Sequence, residues 1–102
     1  MEISQATIRT KEIAKEAVRR IRNQLDTTIT IYWFGSWPKG EARPGSDIDL
    51  ALLAAGPIPL DKLSSIRDDL ENIPTLYQID VVDLDTVGPA LKQEILTHGV
   101  RL

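Results

Sequence analysis

The run Asp47-Ile48-Asp49-Leu50-Ala51-Leu52-Leu53 constrains the fold more than any other stretch, because it sets two carboxylates inside an otherwise apolar strand. Side chains alternate across a strand, so Asp47 and Asp49 share one face while Ile48 and Leu50 point to the other. Two like charges on one face are expensive to bury unless one is protonated or a cation neutralises them. Such a strand has one face for a core and one on which the acids need a partner.

Residues 28–34 (TITIYWF) are β-branched and aromatic, a second strand signal, with Ile29, Ile31 and Trp33 on one face and Tyr32 and Phe34 on the other. Between the two strands, Gly35 to Ser46 holds three glycines and two prolines and reads as a loop with one short helical turn. A short connection of this kind predicts an antiparallel pair. Upstream, Ile13, Ala14, Ala17, Val18, Ile21 and Leu25 recur at helical spacing among Lys and Arg residues that Glu12 and Glu16 intersperse. That is an amphipathic helix with a solvated charged face, ending before Asp26-Thr27-Thr28.

Downstream, Leu60, Leu63, Ile66, Leu70 and Ile73 mark a second helix ended by Pro74, and residues 78–84 (QIDVVDL) form a third strand. Strands two and three are joined through a helix, the pattern of parallel neighbours. Asp85 is placed to cap a last helix in which Leu91, Ile95 and Leu96 face inward and Gly99 is the stop. The order α-β-β-α-β-α predicts an α/β (α+β) fold: one mixed sheet of three to four strands packed on helices, a single domain over residues 1–102.

Composition narrows the function classes. Apolar residues make up 42% and charged residues 26%, an ordinary globular balance. Net charge is −3, which argues against a generic basic nucleic-acid-binding domain. Apolar runs are too short to span a bilayer and the N-terminus lacks a secretory pattern, so a cytoplasmic protein without membrane association is expected. With no cysteines there are no disulfides or thiolate metal sites.

The chemistry then follows from spacing. Oxygen ligands on a rigid strand suit Mg²⁺, so Asp47 and Asp49 are candidate metal ligands. Asp80, mid-strand between Ile79 and Val81, is an equally isolated acid. If its strand neighbours the second one, three carboxylates can bracket two Mg²⁺ ions, the arrangement used for phosphoryl and nucleotidyl transfer. Asp83 and Asp85 compete for the third role; Asp83 has the opposite parity and Asp85 lies where a cap is wanted, which favours Asp80. Gly35 lets the backbone approach a ligand closely, and Ser36 offers a hydroxyl and an N–H to a phosphate. Lys39 and Arg43, in the same loop, are candidates for neutralising triphosphate charge.

Phe34-Gly35-Ser36, ten intervening residues, Asp47-Ile48-Asp49 and the later Ile79-Asp80-Val81 together resemble the signature of the minimal nucleotidyltransferases of the polymerase-beta-like superfamily. The words GEARPGSDIDLAL and EILTHGV extend that resemblance over essentially the whole chain. It implies that Gly35 and Ser36 hold the triphosphate, that Asp47 and Asp49 bind Mg²⁺, and that Asp80 helps to activate an attacking hydroxyl. Family members of this size are typically antitoxins of all-helical HEPN-domain ribonuclease toxins. The resemblance therefore implies transfer of AMP from ATP to a toxin tyrosine within a hetero-oligomer. A binding-only antitoxin and, at lower rank, a small-molecule nucleotidyltransferase are the alternatives.

One departure stands out. The family usually continues Gly-Ser with Arg-Ala-Arg-Gly, whereas this chain has Trp37-Pro38-Lys39-Gly40. Lys39 keeps one charge without the bidentate fork of arginine, and the charge at position 37 is gone. Trp37 is expected to pack over the loop, Trp33 to be core, and His98, the one histidine, to lie at the surface near the end of the last helix.

Overall fold

The computed structural model describes residues 5–25, 28–43 and 45–102. Eight elements follow one another: α1 (Gln5–Gln24), β1 (Thr30–Phe34), α2 (Ser36–Lys39), β2 (Ile48–Leu53), α3 (Leu60–Glu71), β3 (Ile79–Asp83), α4 (Pro89–His98) and β4 (Val100–Arg101). The strands form one mixed sheet in the order β3-β2-β1-β4. β1 runs antiparallel to β2 and to β4, and β2 runs parallel to β3. The expected pairings are those observed. The sheet has four strands, within the three to four expected, but the order α-β-β-α-β-α assigns no place to β4; it is two residues long, and only tertiary contact with Tyr32 and Trp33 makes it a strand.

Period-two alternation sorts the strands onto two unequal faces. Ile31, Trp33, Ile48, Leu50, Leu52 and Val81 point to α1 and α3 and are buried with Ile13, Ala17, Ile21, Leu63, Ile66 and Leu70 in the larger core. Arg20 ties the two helices together: it bonds the Asp69 carboxylate at 3.0 Å and the Asp69 carbonyl at 3.1 Å, while Glu16 accepts from both Arg19 and Arg20. The charged face of α1 is thus not simply solvated; its central arginine reaches across to α3. The Asp26-Thr27 boundary expected for α1 lies outside the described residues.

Among the described residues, the opposite face is covered only at one end. There Ala51, Leu84 and the α4 residue Ile95 are buried, with Tyr32, Phe34, Leu53, Val82 and Val87 packed against them. α4 departs from its predicted form in two respects. Gly88 rather than Asp85 occupies the N-cap, with Pro89 at the first helical position, its preferred place. Asp85 belongs instead to the turn that ends β3, its N–H donating to Asp83 Oδ1 at 3.0 Å. Of the three apolar residues expected to face inward, Ile95 is buried whereas Leu91 and Leu96 are exposed. Leu60, in the first turn of α3, is likewise exposed.

Among the described residues, no helix is long and apolar enough to cross a membrane.

Candidate functional site

The uncovered part of the α4-side face is where the predicted site residues fall. Gly35 ends β1 with φ 86° and ψ −151°, a conformation that glycine adopts without steric cost. Phe34 is the Cα partner of Asp49, so the backbone at Gly35 passes beside that carboxylate. A Cβ placed on Gly35 would collide with Asp49 Oδ2 and lie 3.3 Å from its Cγ. The glycine is therefore needed twice, once for the turn and once for the close approach.

Ser36 opens α2, and its carbonyl accepts the N–H of Glu41 at 3.0 Å. Four residues sum to little macrodipole, so α2 offers an anion its unpaired first-turn N–H groups and the Ser36 hydroxyl rather than a helix field.

Asp49 and Asp80 are Cα partners across the parallel β2–β3 ladder, which stands their side chains abreast on one face. Asp49 is half-buried, and Gln78 Nε2 donates to Asp80 Oδ1 at 3.3 Å. Asp47 lies one residue before β2, exposed at the end of the loop. Burial, then the charge of Asp80, then that of Asp47 push the Asp49 carboxyl up to about 6. Asp83 is removed from contention. It is buried on the other face, where Oδ2 accepts the Ile58 N–H at 2.8 Å and Oδ1 accepts that of Asp85.

Among the described residues, no three Asp, Glu, His or Cys side chains are gathered tightly enough to hold an ion as they are oriented. The donor chemistry nevertheless fits a hard divalent cation. The set is all carboxylate oxygen, and burial together with the charges of Asp80 and Asp47 makes the ionised Asp49 costly, a cost that a bound cation would offset.

The two loop cations are placed differently from each other. Lys39 forms an ion pair with Glu94 on α4, and that hydrogen bond raises the lysine and lowers the glutamate from their ordinary values. His98, exposed in the last turn of α4, stands 4.0 Å from the same carboxylate. Arg43 is exposed; its backbone N–H bonds Ser46 Oγ at 2.9 Å, and its guanidinium has no partner among the described residues.

Several neighbours were not read from the sequence. Gln78 shares the parity of Asp80 two residues on, which is a usable signal. Glu94 is brought to Lys39 only by the tertiary fold, and no local pattern announces it. A cavity of about 690 Å³ opens from Asp49 and Asp80 around the free edge of β3, lined also by Arg67, Thr75, Tyr77 and Gln78. Arg67 Nη2 donates to the Val81 carbonyl at 2.7 Å, capping one polar group of that edge strand.

Comparison with known proteins agrees with this fold. The polymerase beta nucleotidyltransferase family matches residues 16–102. Protein adenylyltransferase MntA of Shewanella oneidensis is 30% identical over 92 residues, spanning 83% of this chain. The chain spans only 60% of the length of that relative. A crystal structure of a toxin–antitoxin with AMP-PNP matches with a TM-score of 0.73 at 28% identity, over 85% of this chain and 69% of that one. The tri-AMPylated Shewanella oneidensis HEPN toxin in complex with MNT antitoxin gives a TM-score of 0.69 at 24% identity, over 89% and 69%; at that identity the likeness is one of fold.

Proposed function

Because this chain belongs to the polymerase beta nucleotidyltransferase family, we propose that it transfers AMP from ATP to a hydroxyl of a HEPN-type toxin and acts as that toxin's antitoxin. One observation carries the reading: Gly35-Ser36 is seated directly against Asp49, with Asp80 abreast of it. A phosphate-approaching turn and a pair of carboxylates are thereby brought to one open patch of sheet. The name of the Shewanella relative supplies the class of reaction, and the toxin–antitoxin structure with AMP-PNP supports the nucleotide and the kind of partner.

The division of labour follows from placement. Gly35 keeps the patch clear of side-chain atoms, and Ser36 presents its hydroxyl and N–H to phosphate oxygens. Asp47, Asp49 and Asp80 would hold Mg²⁺, in one or two ions, which supplies charge neutralisation at the phosphates when bound. The acceptor hydroxyl, a tyrosine in this reading, enters by the cavity beside β3. Asp80, held by Gln78, takes its proton as the oxygen attacks the α-phosphorus. The bond from that phosphorus to the bridging oxygen breaks and pyrophosphate leaves with its electron pair. Arg43 is available to the triphosphate, whereas Lys39 must first leave Glu94. No membrane or direct nucleic-acid partner enters this reading, and the chemistry is placed in the cytoplasm with the toxin.

The engagement of Lys39 also gives the alternative its one specific support. A protein whose loop cation is held by α4 could neutralise a toxin by masking it without transfer. ATP labelled at the α-phosphate, incubated with Mg²⁺ and the co-purified HEPN partner, separates the two readings. Label on the partner is expected; inhibition of the toxin without label would establish masking.

A further inference from the structure

Asp49 and Asp80 lie inside the β-ladder, whereas Asp47 is held by it on one side only, where the Ile48 N–H donates to the Gln78 carbonyl at 2.8 Å. It sits outside β2, at the end of the loop that begins at Gly35, and its N-terminal side needs some other means of being held. The loop's own hydrogen bonds are local. Gly40 and Glu41 N–H groups return to the Trp37 and Ser36 carbonyls at one end, and Ser46 and Arg43 bond each other at the other end. Among the described residues a single hydrogen bond joins the two ends: the Trp37 indole Nε1–H donates to the Ser46 carbonyl at 3.0 Å. That carbonyl belongs to the peptide unit whose nitrogen is that of Asp47. The same indole ring meets the Tyr77 ring edge-on, with centroids 6.0 Å apart, and both rings pack against the larger core. Tyr77 in turn leads into β3 and Asp80.

From these contacts we infer that Trp37 is the positioning residue for Asp47, its indole N–H fixing the peptide that delivers that carboxylate to the site. The inference rests on the proposed metal-binding role of Asp47 only for its functional consequence; the structural claim stands apart from it. The ring anchors the side chain to the core and to Tyr77, and the N–H transmits that anchorage to the loop. These are separable contributions. A residue that merely packed over the loop would need the ring and not the donor.

Trp37→Phe makes the separation, since it keeps an aromatic ring and removes the donor, and Trp37→Ala removes both. In ¹⁵N–¹H spectra of the chain, Trp37→Phe is expected to shift or broaden the Asp47 and Ser46 amides while leaving Leu50 to Leu53 in place. Mn²⁺ serves as the metal probe, titrated with AMP-PNP and read by the EPR signal of the free ion. Trp37→Phe should weaken its binding about five- to ten-fold, the worth of one neutral hydrogen bond. In the Asp47→Asn background the same change should add nothing, because the carboxylate it positions is already gone. An Asp47 amide that does not move in Trp37→Phe, with Trp37→Ala differing only by a lower melting temperature, would overturn the inference in favour of packing alone. A wild-type chain that binds no Mn²⁺ sinks the transferase reading instead, and the amide spectra still decide the role of Trp37.

Discussion

The two faces of the sheet use the same three long strands and differ in almost everything else. Facing α1 and α3, the alternate residues are apolar except Asp83, which is buried and accepts the Ile58 N–H, and Ile31, Ile48, Leu50 and Leu52 have no solvent exposure. Facing α4, the alternate residues are apolar only where Ile95 covers them; beyond that cover stand Asp49 and Asp80. Stability and, in the proposed reading, chemistry are thus assigned to neighbouring residues on one backbone, and the pleat keeps them apart. The comparison predicts that substitutions on the two faces fail in different ways.

The sharpest break is the double substitution Asp47→Asn with Asp49→Asn. Both changes are isosteric and lie on the uncovered patch, so folding should persist. Nucleotide transfer should fall by at least about 10³-fold, or roughly 4 kcal/mol of barrier. Circular dichroism alongside the labelling assay checks both halves, and full transfer by the double variant would end the proposed mechanism.

On the other face the order reverses. Leu50→Ala should cost about 3 kcal/mol in urea unfolding, because it opens a cavity in a fully buried position. One position along the parallel ladder, Val82→Ala lies on the thinly covered face and should cost about 1 kcal/mol. Equal costs would mean that α4 packs as tightly as α1 and α3.

Gly35→Ala tests the seam between the regions. Its φ of 86° strains any L side chain, and the new methyl group would strike the Asp49 carboxylate. About 2 kcal/mol of stability should be lost together with activity. A serine-side explanation, in which only Ser36 matters, predicts an Ala variant with normal transfer.

How much of this was legible in the sequence depends on the range of the contact. The pairing of Asp49 with Asp80 was readable, since parity and the parallel crossover are local rules, and the same parity set Asp83 apart. Gly35 was readable as a turn that lets the backbone approach a ligand, but not as the residue that passes against Asp49, which depends on the β1–β2 register. What escaped was decided by contacts distant in sequence. β4 is too short to signal itself, and Lys39 meets Glu94 only because α4 folds back over α2. The start of α4 was misjudged because Asp85, a good cap by residue type, is drawn into the turn by Asp83, and Gly88-Pro89 then offers the next favourable start. At position 37 the sequence announced a departure from pattern, but its use depends on the Ser46 carbonyl across the loop and on Tyr77 before β3.

The smallest effect concerns the energetic cost of keeping acids on the thin face. Asp49 titrates at about 6 in the folded chain, above its ordinary value of 3.8, chiefly through burial and then through Asp80 and Asp47. Well below pH 3.8 it is protonated in both folded and unfolded states and contributes nothing to pH dependence. As pH rises from there to about 6, the unfolded chain releases this proton first, so the folded state binds more protons and stability falls with pH. Above about 6 the loss is complete. Asp49→Asn removes the ionisation, so the variant should match the wild type at about pH 3, below the unfolded value, and exceed it near pH 7.5. Discounted for the half-exposed carboxylate, the gain is about 1 kcal/mol. Mg²⁺ should erase the difference at the higher pH by stabilising the wild type alone, because it compensates the charge that the asparagine lacks. Urea unfolding at both pH values, with and without Mg²⁺, measures all four corners. A variant no more stable than the wild type near pH 7.5 without Mg²⁺ would show that the acid patch is held at no cost, and the two faces would then differ in chemistry but not in strain.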